Sequence, residues 1–406
     1  MKDFLKKWEK LNLITRILIG IILGVTLAIA FPNIGTPITL LGDLFLNALK
    51  GVAPLLVFVL VMSAIANHKS QGGSNIAAVI KLYIISTLIA TMLAVFASKL
   101  FPTMLEFNLA TESITAPSGV GEILKGLALR VVDNPIKALY DGNYIGILTS
   151  AILFGISLRG AADSTKTMLI DFEKAISNIV NFVINLAPIG IMGIIYTTIT
   201  VSGFDSLMSY TQLLAVIIGT EFFIAFVVNP LIVWYYIRKN PYPLVLRCLK
   251  ESGITAFFTM SSAANIPINL KLCESLGLNK DTYSVTIPLG ATINMSGSAI
   301  TLNILALAAA YSIGIDVGIV MSIIVSLVSA VSAAGTAGIA GGAVLLIPVA
   351  CGALGIPEDI SLQVVSIGLI ITVVQDAFTT ALNSSTDVIL TATAEYANKR
   401  KNGLEF

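Results

Sequence analysis

The stretch VVSIGLIITVVQDAFTTALNSSTDVILTATA, residues 364–394, decides the fold class. As a helix it is long enough to cross the roughly 30 Å hydrocarbon core of a bilayer, yet it contains Asp376 and Asp387. Thr380 and Asn383 stand between them at spacings that place all four residues on one helical face. Because an aspartate inside a membrane is costly, we expect this face to meet protein, water, a cation or a ligand's ammonium. Hydrogen bonding between helices is the alternative, and it would suffice for hydroxyl groups alone.

The composition of the whole chain indicates a membrane protein. Of its 406 residues 12% are charged and 56% are hydrophobic, and the mean hydropathy is +0.91, whereas a soluble domain has about 25% charged residues. A soluble enzyme fold is therefore excluded, and the net charge of +1 argues against a nucleic-acid partner. One histidine and three scattered cysteines predict neither a metal cluster nor a disulfide framework.

We predict an all-α polytopic protein surrounded by membrane lipid, with eight transmembrane helices and two re-entrant helical hairpins. The hairpins, near 243–273 and 318–352, are apolar stretches interrupted halfway by small and polar residues. Lys and Arg concentrate in the connections that are cytoplasmic if both termini are cytoplasmic, which sets the orientation. A retained first span fits a bacterial cell (inner) membrane. The predicted spans are 12–32, 36–66, 76–101, 143–161, 175–200, 208–237, 281–313 and 360–396.

The seventh predicted span contains helix-breaking residues. Pro288, Gly290 and Gly297 lie close together, so a continuous helix is not expected there. An unwound stretch frees backbone carbonyls, which suit Na⁺ when a nearby carboxylate supplies charge. Close helix packing is the alternative explanation for the glycines. The candidate ligands are the Asp387 carboxylate and the side-chain oxygens of Asn294 and Asn383.

Both hairpins break at residues that suit an anion. The first break is Thr259-Met-Ser-Ser-Ala-Ala-Asn265, ahead of Pro267, and the second, residues 332–342, consists almost wholly of small residues. Half-helix N-termini at such tips present free N–H groups to an anion such as a carboxylate. A broken hairpin followed by a span, occurring twice, is typical of inverted repeats in a transporter that binds its ligand between the tips.

Several strings of residues resemble a known family over essentially the whole chain. Ser261-Ser262, Gly290-Ala-Thr-Ile-Asn-Met295, Gly335-Thr-Ala-Gly338 and the run from Asp376 to Asp387 are similar to the dicarboxylate/amino acid:cation symporters, the glutamate transporter homologues. The string Asn383-Ser-Ser-Thr-Asp387 resembles their bacterial serine/threonine:sodium branch. The resemblance implies an elevator-type homotrimer. Its scaffold would comprise residues 1–75 and 102–207, and its transport domain residues 76–101 and 208–406.

The resemblance also implies a substrate site. Asp376 would pair with the substrate ammonium and Asn383 with its α-carboxylate. The tip of the second hairpin would complete the carboxylate cradle together with serines of the first. The further substrate-binding candidates are Ser261, Ser262, Ser298, Gly338, Ile339, Thr379 and Thr380.

Two sodium sites are implied in the same way. One Na⁺ would be held by the carbonyls of Gly290 and Asn294 with the side chains of Asn383 and Asp387. A second site would close only when the second hairpin closes. Its ligands would be Thr292 and backbone oxygens of Ala333, Ala334 and Thr336.

Three positions depart from the acidic-substrate relatives. Thr379 stands where they have an arginine that neutralises a substrate carboxylate, so we expect a neutral substrate whose hydroxyl exchanges hydrogen bonds with Thr379. Ser296 replaces an acidic residue that helps to hold a further sodium beside the third span, where Tyr83, Ser86 and Thr87 offer oxygens. Met260 replaces an arginine before the serine pair. Lys50 and Glu221 also lie within apolar spans, and the sequence assigns neither a role.

We therefore expect a secondary active symporter that imports L-serine and L-threonine with Na⁺, and no enzymatic activity. Another small neutral or acidic amino acid, or an ion channel, is the alternative. A channel would need polar rings along a continuous pore, whereas the polar residues here surround broken helices. An intramembrane protease is disfavoured because Asp376 and Asp387 are separated by about 16 Å along their helix, too far to share a proton.

Overall fold

The computed structural model describes residues 11, 13–67, 74–107, 129, 131–141, 143–202, 206–334 and 341–403. Within these ranges the regular structure is helical and contains no strand, which confirms the predicted all-α class. In chain order the helices are α1 (Leu13–Ala30), α2 (Thr36–Ala66), α3 (Ser74–Leu100), α4 (Pro135–Tyr140), α5 (Tyr144–Ser157), α6 (Asp163–Asn185), α7 (Ala187–Ser202), α8 (Ser206–Phe223), α9 (Asn229–Ile237), α10 (Tyr242–Cys248), α11 (Ile254–Thr259), α12 (Ser262–Ser275), α13 (Lys280–Ile293), α14 (Ser296–Ser312), α15 (Ile319–Ala333), α16 (Gly342–Leu345), α17 (Ile347–Ala353) and α18 (Glu358–Lys401).

The helices pack mainly within two groups. In the first group α1 lies along α7, and α2 contacts α5, α6 and α7. Glycines allow the close approach, because a Cβ on Gly193 of α7 would lie 2.5 Å from the backbone nitrogen of Gly42 in α2. The second group surrounds α14 and α18. Although α3 comes early in the chain, it belongs to this group, since it packs on α13, α14, α15 and α18.

The bounds predicted for the fifth span, 175–200, were wrong. The chain forms two helices there, α6 and α7, which are separated at Leu186. Pro188 lies in the first turn of α7 and has no N–H to continue the hydrogen bonding of α6. In addition, α6 begins at Asp163 and is amphipathic: Ile176 and Val180 are buried, while Lys174 is exposed.

The predicted interruptions are confirmed where the structure describes them. Between α13 and α14, Asn294 (φ −94°, ψ 68°) and Met295 (φ −108°, ψ 50°) are not helical. The first hairpin breaks between α11 and α12, where Met260 adopts a left-handed conformation with φ +46°. The second hairpin breaks after α15 and resumes at α16, and its tip, residues 335–340, lies outside the described residues.

Among the described helices, four segments are long and apolar enough to cross a membrane, if α8 is joined to α9 through the π-helical turn Ile224–Val228 and α13 to α14 through their break. The helices α1, α5, α7 and α15 are apolar but shorter. Large apolar side chains such as Phe96 and Leu100 are exposed on the outside of α3, as expected for a surface in contact with lipid. The chain is therefore a membrane protein, and the total of eight crossings stays a prediction. The four long segments are Asn75–Leu100, Ser209–Ile237, Lys280–Ser312 and Glu358–Lys401.

Candidate functional site

The polar face of α18 is buried in the second helical group. Asp376 is 9% exposed and Asp387 1% exposed, and Thr380 and Asn383 between them are buried as well. The helical period that the sequence predicts thus turns all four side chains towards protein rather than lipid. Each carboxylate then meets a different interrupted element of the same group.

Asp376 meets the second hairpin. Its Oδ2 accepts a hydrogen bond of 3.0 Å from the backbone N–H of Gly341, the residue that precedes α16. Gly341 has φ +69°, a conformation that is costly for a residue with a Cβ. The glycine therefore allows the chain to turn and to present its N–H to the carboxylate.

Asp387 meets the break between α13 and α14. The side-chain amide of Asn294 donates to Asp387 Oδ1 at 2.8 Å. Gly290 approaches so closely that an added Cβ would lie 2.6 Å from the same Oδ1. The hydroxyl of Tyr83, from α3, donates to the Asp387 carbonyl oxygen at 3.2 Å. The third span and the break between α13 and α14 thus both contact Asp387, the first at its backbone and the second at its carboxylate.

This arrangement suits a small cation such as Na⁺. Asn294 Oδ1 is buried and has no hydrogen-bond partner among the described residues, although it lies on the side chain that binds Asp387. A neutral oxygen without a donor, beside a carboxylate at an unwound helix, is the kind of ligand set that transporters offer to sodium. The predicted ligands Gly290, Asn294 and Asp387 are thus brought together.

Asn383 is held at the start of α14. Its Oδ1 accepts from the Gly297 N–H at 2.8 Å, and its Nδ2 donates to Ser298 Oγ at 3.3 Å. The predicted partners Asn383 and Ser298 are therefore adjacent. Because Asn383 contacts the residues that follow the break, it links the region predicted for sodium to the one predicted for the substrate carboxylate.

The residues predicted for the second sodium are described only in part. Thr292 is exposed, and its hydroxyl donates to the Leu289 carbonyl oxygen at 2.7 Å. Ala333 is buried and Ala334 is half-buried at the end of α15. This site stays a prediction. Thr336, Gly338 and Ile339, predicted for the sodium and substrate sites, lie outside the described residues.

The first hairpin is joined to α18 by a buried polar network that sequence reasoning did not find. Asn265 Nδ2 donates to Ser384 Oγ at 2.7 Å and to the Ser252 carbonyl oxygen at 3.2 Å. Asn269 Nδ2 donates to the Ser384 carbonyl oxygen at 3.1 Å. Two asparagines four residues apart in an apolar hairpin were the available signal. At the hairpin tip, Ser261 caps α12 by accepting from the Ala264 N–H at 3.2 Å, and Ser262 is buried beside it.

Thr379 is enclosed by polar side chains. It is 1% exposed, its hydroxyl donates to Oε1 of Glu221 on α8, and it accepts from Gln375 Nε2 at 2.6 Å. The Thr301 hydroxyl lies 3.5 Å away. The sequence did not assign a role to Glu221, although a single carboxylate inside an apolar span was a visible signal.

The hydroxyl groups predicted for a further sodium differ in their hydrogen bonding. The Thr87 hydroxyl donates to the Tyr83 carbonyl oxygen at 3.0 Å. The hydroxyls of Ser86 and Ser296 are buried and have no hydrogen-bond partner in the part of the chain that the structure describes. Ser296 therefore brings an oxygen but no charge to this region.

Comparison with known proteins places the chain in a family. Residues 13–396 match the sequence model of the Sodium:dicarboxylate symporter family. The chain is 51% identical over 396 residues to proteins named "Serine/threonine transporter SstT" from Streptococcus agalactiae serotypes Ia and V, a match that covers 97% of this chain and 98% of each relative. With the family model matched over nearly the whole length and with relatives this similar, the chain belongs to the sodium:dicarboxylate symporter family.

Proposed function

We propose that the protein is a secondary active transporter that uses the Na⁺ gradient to import L-serine and L-threonine by alternating access. The names of its relatives support this substrate class. The observation that carries the proposal is the environment of Thr379, whose hydroxyl binds the Glu221 carboxylate and the Gln375 amide. These neighbours offer no cation to neutralise a substrate side-chain carboxylate, whereas a neutral hydroxyl amino acid needs none.

Asp376 is the proposed partner of the substrate ammonium. In the structure its carboxylate accepts the Gly341 N–H, and a carboxylate has further lone pairs with which it can accept from an ammonium at the same time. An ammonium between Asp376 and the second hairpin would compensate a buried negative charge. Substrate binding would thereby favour a closed second hairpin.

Asn383 and Asp387 are the proposed link between sodium and substrate. A Na⁺ held by Asp387, Asn294 and the carbonyl of Gly290 would fix the break that Asn383 contacts through Gly297. Because Asn383 is also the proposed ligand of the substrate α-carboxylate, each ligand would prepare the site for the other. Such coupling is reciprocal, so sodium would raise substrate affinity by the same factor as substrate raises sodium affinity.

The two helical groups are the proposed scaffold and transport domain. The packing of α3 on α13–α15 and α18 supports assigning residues 76–101 to the moving part, with 208–406, and residues 1–75 and 102–207 to the scaffold. The proposal includes a homotrimer in a bacterial inner membrane, eight spans and two re-entrant hairpins, cytoplasmic termini and elevator motion. Thr292, Ala333, Ala334 and Thr336 remain the proposed second sodium site.

Uptake by proteoliposomes tests the proposed function. Purified protein should accumulate radiolabelled L-serine when Na⁺ is higher outside than inside, and excess L-threonine should compete. A potassium gradient of the same size is the control and should not support accumulation. Equal serine uptake with and without the sodium gradient would refute sodium-coupled import.

A further inference from the structure

Glu221 is a buried carboxylate that the proposed mechanism does not yet use. It lies on α8 and is 3% exposed. Its Oε1 accepts the hydroxyl proton of Thr379, and its Oε2 is buried without a hydrogen-bond partner among the described residues. Leaving a buried carboxylate oxygen without a donor is costly. The free Oε2 therefore marks a place for a group that carries a proton to donate.

The hydroxyl of Thr379 has no proton left to donate to a ligand. It gives its only proton to Glu221 and accepts from Gln375 Nε2 at 2.6 Å. The same Nε2 donates to Thr301 Oγ1 at 2.7 Å, which fixes the Gln375 amide. Thr379 can therefore donate no hydrogen bond to a ligand, while Glu221 Oε2 can still accept one.

The electrostatic environment of Glu221 is negative. Burial opposes a negative charge on Glu221 most strongly, and Asp376, three residues before Thr379 on α18, adds repulsion. Within the described ranges, the ion pairs Asp171–Lys174 and Arg247–Glu251 are formed by exposed side chains and do not involve Glu221. The carboxylate of an acidic substrate placed here would be buried beside two other carboxyl groups, with no cation among the described neighbours to compensate it. A hydroxyl would instead supply the missing donor.

We propose that Glu221 determines the substrate side chain: its Oε2 accepts a hydrogen bond from the substrate hydroxyl, and its described surroundings offer no cation to an acidic side chain. This inference deepens the proposed function and rests on it. Thr379 is a positioning residue, since its hydroxyl holds Oε1 of Glu221, and Gln375 in turn holds the hydroxyl of Thr379. The selective group is thus located on α8, beyond the polar face of α18.

Two ligand pairs isolate the hydroxyl group. L-Serine and L-α-aminobutyrate have nearly the same shape, as do L-threonine and L-valine, but the second member of each pair has a methyl group in place of the hydroxyl. Their competition with radiolabelled serine binding would be measured in Na⁺ with purified protein. The wild type should prefer the hydroxyl ligand by roughly 10- to 100-fold, the range of a hydrogen bond to a charged group.

Glu221→Gln replaces one carboxyl oxygen with an amide nitrogen, which donates instead of accepting, and preserves the size of the side chain. We expect the preference for the hydroxyl ligand to fall about tenfold, and aspartate to compete more strongly than in the wild type. The matched control is Glu173→Gln, because Glu173 also binds a hydroxyl, that of Ser63 at 2.5 Å, but lies in the first helical group. The control should keep the wild-type preference.

Several results would overturn the inference. An unchanged preference in Glu221→Gln, equal weakening of both members of a pair, or a change in sodium dependence alone would each assign Glu221 a different role. If the variant does not fold, equal binding of serine and α-aminobutyrate to the wild type is sufficient to reject it. Failure of the wild type to bind serine in Na⁺ would instead refute the proposed function.

Discussion

The two helical hairpins contact the same helix, α18, in different ways. The first is held by buried side chains, with Asn265 and Asn269 both donating to Ser384. The second contacts α18 through the N–H of Gly341, which binds the carboxylate of Asp376. The first contact involves no proposed ligand-binding group, whereas the second uses the proposed ammonium partner. We therefore expect ligand binding to reorganise the second hairpin and to leave the first in place.

The largest expected effect is at Asp376. Asp376→Asn should abolish concentrative serine uptake, because an amide cannot supply the charge that offsets a buried ammonium. Uptake in proteoliposomes and calorimetry in Na⁺ would measure the loss. Asp359→Asn, at an exposed acid near the start of the same helix, is the matched control and should transport normally. Retained uptake with an unchanged half-saturating serine concentration would contradict the role of Asp376.

A smaller effect is expected at Gly290, which lies against Asp387, the proposed sodium ligand. In Gly290→Ala the new methyl group would lie 2.6 Å from Asp387 Oδ1 and would displace the carboxylate. The sodium concentration for half-maximal serine uptake should rise about tenfold or more. Gly219→Ala is the control, because a Cβ there would meet no heavy atom within 4 Å. If both variants respond to sodium like the wild type, Asp387 is not a sodium ligand.

The contact of the first hairpin is expected to matter for stability. Asn265→Ala would leave Ser384 and Ser252 without a shared donor, at a cost of about 1 to 3 kcal/mol. The unfolding temperature in detergent should fall by several degrees, while serine affinity in folded protein stays close to normal. Asn47→Ala, at an exposed position of α2, should not change the unfolding temperature. Lower affinity without loss of stability would mean that the first hairpin also moves with ligand.

The smallest effect is expected at Gly341. Gly341→Ala places a Cβ on a residue with φ +69°, which costs about 1 kcal/mol. We expect serine affinity to fall by about fivefold, because the strained turn no longer presents its N–H to Asp376 in the closed arrangement. The unfolding temperature should change less than in Asn265→Ala. If the unfolding temperature falls more in Gly341→Ala than in Asn265→Ala, the proposed distinction between the two hairpins is contradicted.

The features that depend only on neighbouring residues in the chain could be predicted from the sequence. The spacing from Asp376 to Asp387 places both on one helical face whatever surrounds it, and their burial follows from the cost of charge in lipid. Pro288 and Gly290 predict an interruption near them through their own backbone chemistry, although both lie within α13 and the interruption follows them at Asn294 and Met295. The bounds of the fifth span were predicted incorrectly. Its apolar content suggested a single span, although Pro188 lacks the N–H that would continue the hydrogen bonding of α6.

Only the tertiary structure could decide which distant side chains are partners. Glu221 and Thr379 are separated by 158 residues and Asn265 and Ser384 by 119, and no periodicity relates positions on different helices. The sequence identified Thr379 as the position that selects a neutral substrate, but the packing of α8 on α18 assigns its hydroxyl to Glu221. A short-range pattern determines which face of a helix is polar, whereas the partner of that face depends on which helix packs against it.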